Sequence, residues 1–289
     1  MQAVEPIADL KGQTVVVTGA NGGLGAEVAR MLGASGARVV LACRNLVTAK
    51  EVASSLDCET VVEELDLSSL ESVRDFAARW RDPVDVLVNN AGIMFVPEGK
   101  TEDGFERAFG TNHLGHFALT GLLLDKVRRR VVTVSSVAHW RGRAAGLRDP
   151  NFEHRPFSRT AAYGNSKLAN LVFARELDRR LRASGSEVRS YAAHPGVVAT
   201  GLYDHSESTT FGIFGQTAKL GGSVSDGAAP IAHAAAAPYA KSEAFYGPGL
   251  MVRGRRVRPN PSSGLSRNRQ VAERLWVDSE RLTGTRYAF

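Results

Sequence analysis

Tyr163 and Lys167 stand four positions apart in Tyr163-Gly164-Asn165-Ser166-Lys167. The run continues Leu168-Ala169-Asn170-Leu171-Val172-Phe173, whose apolar spacing predicts a helix. On a helix, side chains at i and i+4 share a face. A free tyrosine is a poor proton carrier near neutrality; moving its pKa toward 7 takes about 3 units, or about 4 kcal/mol. One ammonium at about 5 Å, with an effective dielectric near 20, supplies about 3 kcal/mol of that. The pair can therefore make a phenol that releases and recovers a proton near neutral pH, as the oxidation of an alcohol requires.

A second stretch suits an anion. Thr18-Gly19-Ala20-Asn21-Gly22-Gly23-Leu24-Gly25 follows the β-branched run Thr14-Val15-Val16-Val17 and precedes Ala26-Glu27-Val28-Ala29-Arg30-Met31-Leu32. The first run favours a strand and the second a helix. Glycines at such a turn let the backbone approach a ligand closely. The N–H groups and dipole of the helix start then favour a pyrophosphate. Further polar points are Asn89-Asn90-Ala91-Gly92, Thr111-Asn112-His113, Ser135-Ser136 and His194-Pro195-Gly196.

The elements that must carry these residues alternate. Strand-like runs at Thr14–Val17, Ala37–Cys43, Val61–Leu67, Asp85–Asn89, Val131–Ser135 and Val188–Ala193 are separated by helical patterns. Among these are helices over 46–56, over 68–80 with Ser68 or Ser69 as cap and Glu71 in the first turn, and over 268–282 with Val271, Leu275 and Leu282 on one side. Short, continuously apolar strands between helices predict a doubly wound α/β fold with a parallel sheet. Ligand is then expected beyond the carboxyl ends of the strands, where the polar points above fall. The stretches 142–159, 206–225 and 258–266 read as long loops, and no domain boundary is evident.

Composition is that of an ordinary globular protein, with 289 residues, 43% hydrophobic and 23% charged. The net charge of +6 favours an anionic ligand such as a phosphorylated cofactor. Arg128-Arg129-Arg130 and the cluster from Arg253 to Arg258 lack interleaved aromatics, so they read as solvated loop charges rather than a nucleic-acid surface. Cys43 and Cys58 make no disulfide framework and no metal site, which fits a reducing cytosol. No stretch reaches the roughly 20 apolar residues of a membrane span, and Met1 to Gly12 lacks the apolar core of a signal. The alanine-rich run near Ala234 is broken by Pro230, His233 and Pro238. A cytoplasmic protein is the expectation.

The sequence resembles the short-chain dehydrogenase/reductase family. The matching motifs are Gly19-x3-Gly23-x-Gly25, Asp66, Asn89-Asn90-Ala91-Gly92, Asn112, Ser136, Tyr163-x3-Lys167 and Pro195-Gly196 with Thr200, in the family's order. Asn112-His113-Leu114-Gly115-His116-Phe117, Val134 to His139, Ser166 to Asn170 and Ala272-Glu273-Arg274-Leu275-Trp276 are similar to its retinol-dehydrogenase-like branch. The resemblance implies one Rossmann-type domain over 1–289, with substrate loops at about 140–160 and 197–228. It implies that Tyr163 exchanges the proton, that Lys167 lowers its pKa and holds the nicotinamide ribose, that Ser136 holds the substrate oxygen, and that Asn112 orders a water beside Lys167. On the cofactor side it implies Gly19, Asn21, Gly22, Gly23, Leu24 and Gly25 at the phosphates. Asp66 and Leu67 would flank adenine, Asn90, Ala91 and Gly92 the adenosine side, and Val198 and Thr200 the carboxamide. Helices around 112–127 and 163–181 are surfaces family members use to dimerise, so a homo-oligomer is open.

Arg44 bears on the cofactor. The family's acidic position at the end of the second strand is Cys43, and Arg44 follows with a guanidinium suited to a 2′-phosphate. NADP(H) is expected, with NAD(H) the alternative. Two departures stand out. The interval from Ser136 to Tyr163 is long, and its extra residues, Trp140-Arg141-Gly142-Arg143 among them, suit either a pocket roof or a plain surface loop. The membrane anchor common among mammalian retinol-type members is not seen. His113 and His116 lack an acidic or thiol partner and read as structural, not metal ligands. Phe211, Phe214 and Leu220 suit a substrate pocket or a loop anchor equally.

The expected activity is interconversion of a small-molecule alcohol and a ketone or aldehyde. A sugar-nucleotide epimerase or dehydratase also uses a tyrosine and lysine so spaced, but the glycine spacing and shorter C-terminal part argue against it. A cofactor-binding regulator without turnover should lack part of the set Asn112, Ser136, Tyr163 and Lys167, all of which are present.

Overall fold

The β-branched runs form strands. The computed structural model describes residues 7–198, 222–254 and 256–289. Its parallel strands are β1 (Thr14–Thr18), β2 (Arg38–Cys43), β3 (Thr60–Glu64), β4 (Val84–Asn89), β5 (Val127–Val134), β6 (Arg189–Ala193) and β7 (Phe245–Pro248), and β8 (Val257–Pro259) runs antiparallel to β7. They lie in one sheet in the order β3-β2-β1-β4-β5-β6-β7-β8. The chain reverses direction across the sheet between β1 and β4, the switch point where a doubly wound sheet opens a crevice.

Helices cover both faces, because alternate strand residues point to opposite sides. Val15, Val17, Val39 and Leu41 pack with residues of α1 (Gly23–Gly33), α2 (Leu46–Ser54) and the helix Val224–Ala236. Val16, Val40 and Leu87 pack on the other face with α3 (Leu70–Arg79), the short helix α4 (Arg107–Phe109), α5 (Gly115–Leu123) and the long helix Arg159–Ala183. In chain order, Ala144–Arg148 is α6, Arg159–Ala183 is α7, Val224–Ala236 is α8 and Arg269–Thr283 is α9. Ser69 is the residue that caps α3, accepting from the Ser72 amide.

Several elements differ from the sequence reading. β5 begins four residues before Val131, so Arg128-Arg129-Arg130 is strand rather than loop. Arg130 donates to the carbonyls of Ala234 and Ala237 at 3.0 and 2.9 Å, helping to satisfy the end of α8, and lies 4.9 Å from the Tyr191 ring. β3 stops at Glu64, which leaves Asp66 in the following turn. The interval 140–160 is not one loop. Val137–Arg141 forms a 3-10 turn and α6 follows. Gly142 and Gly164 admit this segment against α7, where an added Cβ on Gly142 would meet Leu168 at 2.6 Å.

The C-terminal helix covers α5 and α7. Trp276 is 2% exposed and packs on Phe117 and Phe173 with centroids at 5.2 and 5.9 Å. The Tyr287 hydroxyl donates to the Phe117 carbonyl at 2.6 Å, and His113 Nε2 meets Ser279 Oγ at 2.9 Å. The part of α5 and α7 beneath α9 therefore meets this chain rather than a second copy. Arg175 on α7 holds the segment before α9 through Ser262 and Ser266. Among the described residues, no helix is long and apolar enough to cross a membrane.

Candidate active site

β1 ends at Thr18 and the glycine turn follows. Gly19 has φ 64° and Gly23 φ 51°, conformations that favour glycine. A Cβ on Gly19 would lie 2.9 Å from Ala91 Cβ, and one on Gly25 would collide with the Gly19 carbonyl. Gly22 has open space where its Cβ would stand, and α1 begins there with no side chain capping its amides. Free helix-start amides beside open space are what a pyrophosphate needs. Asn21 Nδ2 donates to Thr48 Oγ1 at 3.0 Å, tying the turn to α2, while Leu24 packs partly buried beneath it.

Cys43 is buried at the end of β2, where burial pushes its thiol up to about 11 and the amides of Ala20, Asn21 and Gly19 point at it. It fills the space under the turn. Arg44 is largely exposed, with Nη1 3.8 Å from Asp66 Oδ2. Asp66 Oδ1 accepts from the amide and hydroxyl of Ser68. The Leu67 backbone packs against Gly115.

Beyond β4, the amides of Asn90 and Ala91 donate to Thr18 Oγ1 at 2.9 and 3.0 Å. Gly92 brings the chain close to the helix side: a Cβ there would lie 3.2 Å from Asn112 Oδ1 and 3.3 Å from Lys167 Nζ. Asn112 lies in a π turn, Gly110–Leu114, between α4 and α5. Its side chain accepts from the Ile93 amide at 2.8 Å and donates to the Ile93 carbonyl and Ser166 Oγ at 2.9 and 3.0 Å.

The two serines after β5 separate by role. Ser135 Oγ donates to the Lys167 carbonyl at 2.7 Å. Ser136 Oγ accepts from the Ala138 amide at 3.1 Å, which leaves its hydroxyl proton for another acceptor. The buried His139 donates from Nδ1 to the Ser136 carbonyl at 2.7 Å, and its Nε2 accepts from the Ser263 amide at 3.2 Å.

Tyr163 and Lys167 are both on α7, capped by Ser158. Tyr163 is 7% exposed, and Lys167 Nζ lies 5.8 Å from its ring centroid. Lys167 Nζ donates to the Val134 carbonyl at 3.2 Å. Burial lowers its pKa from the ordinary 10.5 to about 8. The Phe95 ring stands 5.1 Å from that of Tyr163, on a backbone with φ 54°. Such a conformation costs a bulky residue on the order of 1 kcal/mol or more.

Val198 is buried and bridges to Gly222. Thr200, Phe211, Phe214 and Leu220 lie outside the described residues. Among the described residues no group of three or more His, Cys, Asp and Glu is arranged to hold a metal. Sequence reasoning gave no site role to Thr18, Phe95 or His139 and read His116 only as structural. Thr18 and His116 stand inside motifs quoted for other residues, but their spacing alone does not reveal their partners.

The short chain dehydrogenase family pattern matches residues 13–148. Retinol dehydrogenase 13 of Homo sapiens is 41% identical over 96% of this chain and 86% of its own length. The chain belongs to the short-chain dehydrogenase/reductase family. Within it, this member falls in the retinol-dehydrogenase-like branch and is an oxidoreductase acting on CH–OH groups with NAD(P). An uncharacterised protein from Mycobacterium paratuberculosis has a crystal structure 43% identical, with TM-score 0.84 over 98% of this chain and 97% of that one. A structure from Beutenbergia cavernae, described as an NAD(P)-dependent gluconate 5-dehydrogenase with bound NADP, is 26% identical with TM-score 0.59 over 79% and 91%. The parallel sheet, glycine turn and switch-point crevice are thus those of a short-chain dehydrogenase.

Proposed function

We propose that this chain is an NADP(H)-dependent oxidoreductase that interconverts an alcohol and a ketone or aldehyde, with Tyr163 as the acid and base. The observation that carries the reading is the buried Lys167 one helical turn from Tyr163, its ammonium 5.8 Å from the phenol ring and beside Gly92. A positive charge in a poorly solvated site favours the phenolate over the phenol. Ser136 donates its hydroxyl proton to the substrate oxygen and stabilises charge there. Tyr163 gives that oxygen a proton in reduction and takes it in oxidation. Lys167 supports the phenolate, and Asn112, whose Oδ1 stands with the ammonium beside Gly92, holds the Ile93 backbone and Ser166.

The glycine turn and the uncapped start of α1 would hold the pyrophosphate, with Asp66, Leu67 and Asn90 to Gly92 along the adenosine and Lys167 at the ribose. The nicotinamide, when bound, supplies or takes the hydride. Arg44 is exposed and only loosely paired with Asp66, so its guanidinium is available to a 2′-phosphate. We place Val198 and Thr200 at the carboxamide and the substrate between the segment near 140–160 and the stretch 197–228. The free thiols of Cys43 and Cys58 suit a reducing, cytosolic setting.

The test is Tyr163→Phe, assayed against a panel of ketones, aldehydes and alcohols with cofactor binding followed by fluorescence. Turnover falls by about 10²–10⁴-fold, the scale of lost acid–base catalysis, and the cofactor still binds. Unchanged turnover would remove Tyr163 from the mechanism.

A further inference from the structure

His116 is 1% exposed and has been assigned no role above, yet it joins two parts of the site. Its Nδ1 lies 2.9 Å from the Asn112 carbonyl, and its Nε2 lies 2.9 Å from Thr18 Oγ1, 98 positions away in sequence. The same Thr18 hydroxyl accepts the amides of Asn90 and Ala91. The Thr18 carbonyl accepts from Asn90 Nδ2 at 2.9 Å.

The donors and acceptors leave one consistent arrangement. A carbonyl only accepts, so His116 Nδ1 must carry a proton. Burial first, with the Lys167 ammonium a lesser cause, lowers the His116 pKa to about 4, so the ring is neutral and Nε2 is bare. Thr18 must then donate to Nε2, which leaves its oxygen lone pairs for the two amides. The Val88 carbonyl, at 3.4 Å, is a poor second acceptor. The ring nitrogens of His116, the Thr18 hydroxyl and the amides of Asn90 and Ala91 are thereby all paired, with His116 and Thr18 fully buried.

We infer that His116 is a positioning residue that locks the Asn112 backbone to the Asn90-Ala91 peptide through Thr18, so that the lysine side and the dinucleotide side of the crevice keep one register. The π turn makes this necessary. Its i→i+5 bond from the Gly115 amide to Gly110 departs from the α-helical ladder where Asn112 must face Ile93 and Ser166. Asn112 holds Ile93 by its side chain, and His116 holds Asn112 by its carbonyl, so the segment from Asn90 to Ile93 is gripped at both ends. The inference rests on the proposed redox reading for its catalytic consequence, but the relay itself has readouts that need no turnover.

Histidine ¹⁵N spectroscopy on the full chain tests the tautomer. His116 is expected with Nδ1 protonated and Nε2 bare at pH 7; the opposite tautomer overturns the inference. Amide exchange is the second readout, in Thr18→Val, in His116→Leu and in Thr18→Ser, which keeps the hydroxyl. Exchange at Asn90 and Ala91 is expected to rise about tenfold in the first two and to stay as in the native chain in the third. Thr18→Val is nearly isosteric and guards against misfolding of the histidine variant. In turnover, both variants lower kcat about tenfold with little change in the carbonyl substrate's KM, since small misplacements at a reacting centre cost rate. The double variant is no worse than the poorer single one. Additive losses, or native exchange and kcat in folded variants, overturn the inference. If the tautomer and exchange results hold while no alcohol or carbonyl is turned over even by the native chain, the redox reading fails and the relay stands.

Discussion

Lys167→Met should make the protein inactive and more stable at the same time. The native ammonium is 4% exposed and, among the described residues, donates to the Val134 carbonyl at 3.2 Å. Burial lowers its pKa from 10.5 to about 8. The folded pKa is thus below the unfolded one, and the unfolded chain binds the extra proton between these values. Below pH 8 both states carry the charge and the folded state bears its full cost, about 3 kcal/mol at 1.36 kcal/mol per unit. That cost fades as pH rises from 8 to 10.5, so native stability from this group increases with pH across that window. Methionine has similar length and no charge, and it spares the Val134 carbonyl, which still accepts from Asn170 Nδ2 at 3.1 Å. Urea unfolding at pH 7 is expected to show the variant more stable by up to about 3 kcal/mol, with a melting point on the order of 5 °C higher. At pH 10 the gap should shrink to a small fraction. A variant less stable than the native chain at pH 7, or a gap independent of pH, would refute the claim that this site holds a poorly solvated charge.

Arg44→Ala should lower the ratio of kcat/KM with NADP(H) to that with NAD(H) by about tenfold, the low end for a charge-assisted contact at an exposed site; a native preference for NAD(H) would dismiss the role given to Arg44. Trp276→Ala should cost about 3–5 kcal/mol in urea unfolding, because the ring is buried against Phe117, Phe173 and Tyr287. A loss below about 1 kcal/mol would mean that α9 contributes little to the core.

What the sequence determined was local or periodic. Val15 to Val17 and Val39 to Leu41 had to be strands because branched side chains pack well on a pleated surface. Tyr163 and Lys167 had to share a helix face because four residues make about one turn. The glycines at 19, 23 and 25 announced a tight turn because other residues resist positive φ or the close approach of Ala91 and Gly19. β7 and β8 were not legible, being four and three residues long and carrying Gly247, Pro248 and Pro259. The start of β5 was hidden by its arginines, of which Arg130 reaches the end of α8 only once the sheet exists.

The tertiary structure alone decided which groups meet. Ser135 and Ser136 are the same residue type on the same strand end, and only the packing of α7 assigns the first to the Lys167 carbonyl. His116 reads as an ordinary core histidine until Thr18 is brought to its far nitrogen. The C-terminal helix was visible as a helix, but that it would lie over α5 and α7 was not. The physical reason is range. Propensity and periodicity act over a few residues, whereas a buried polar atom must find its partner anywhere in the chain, and that choice is made when the core closes.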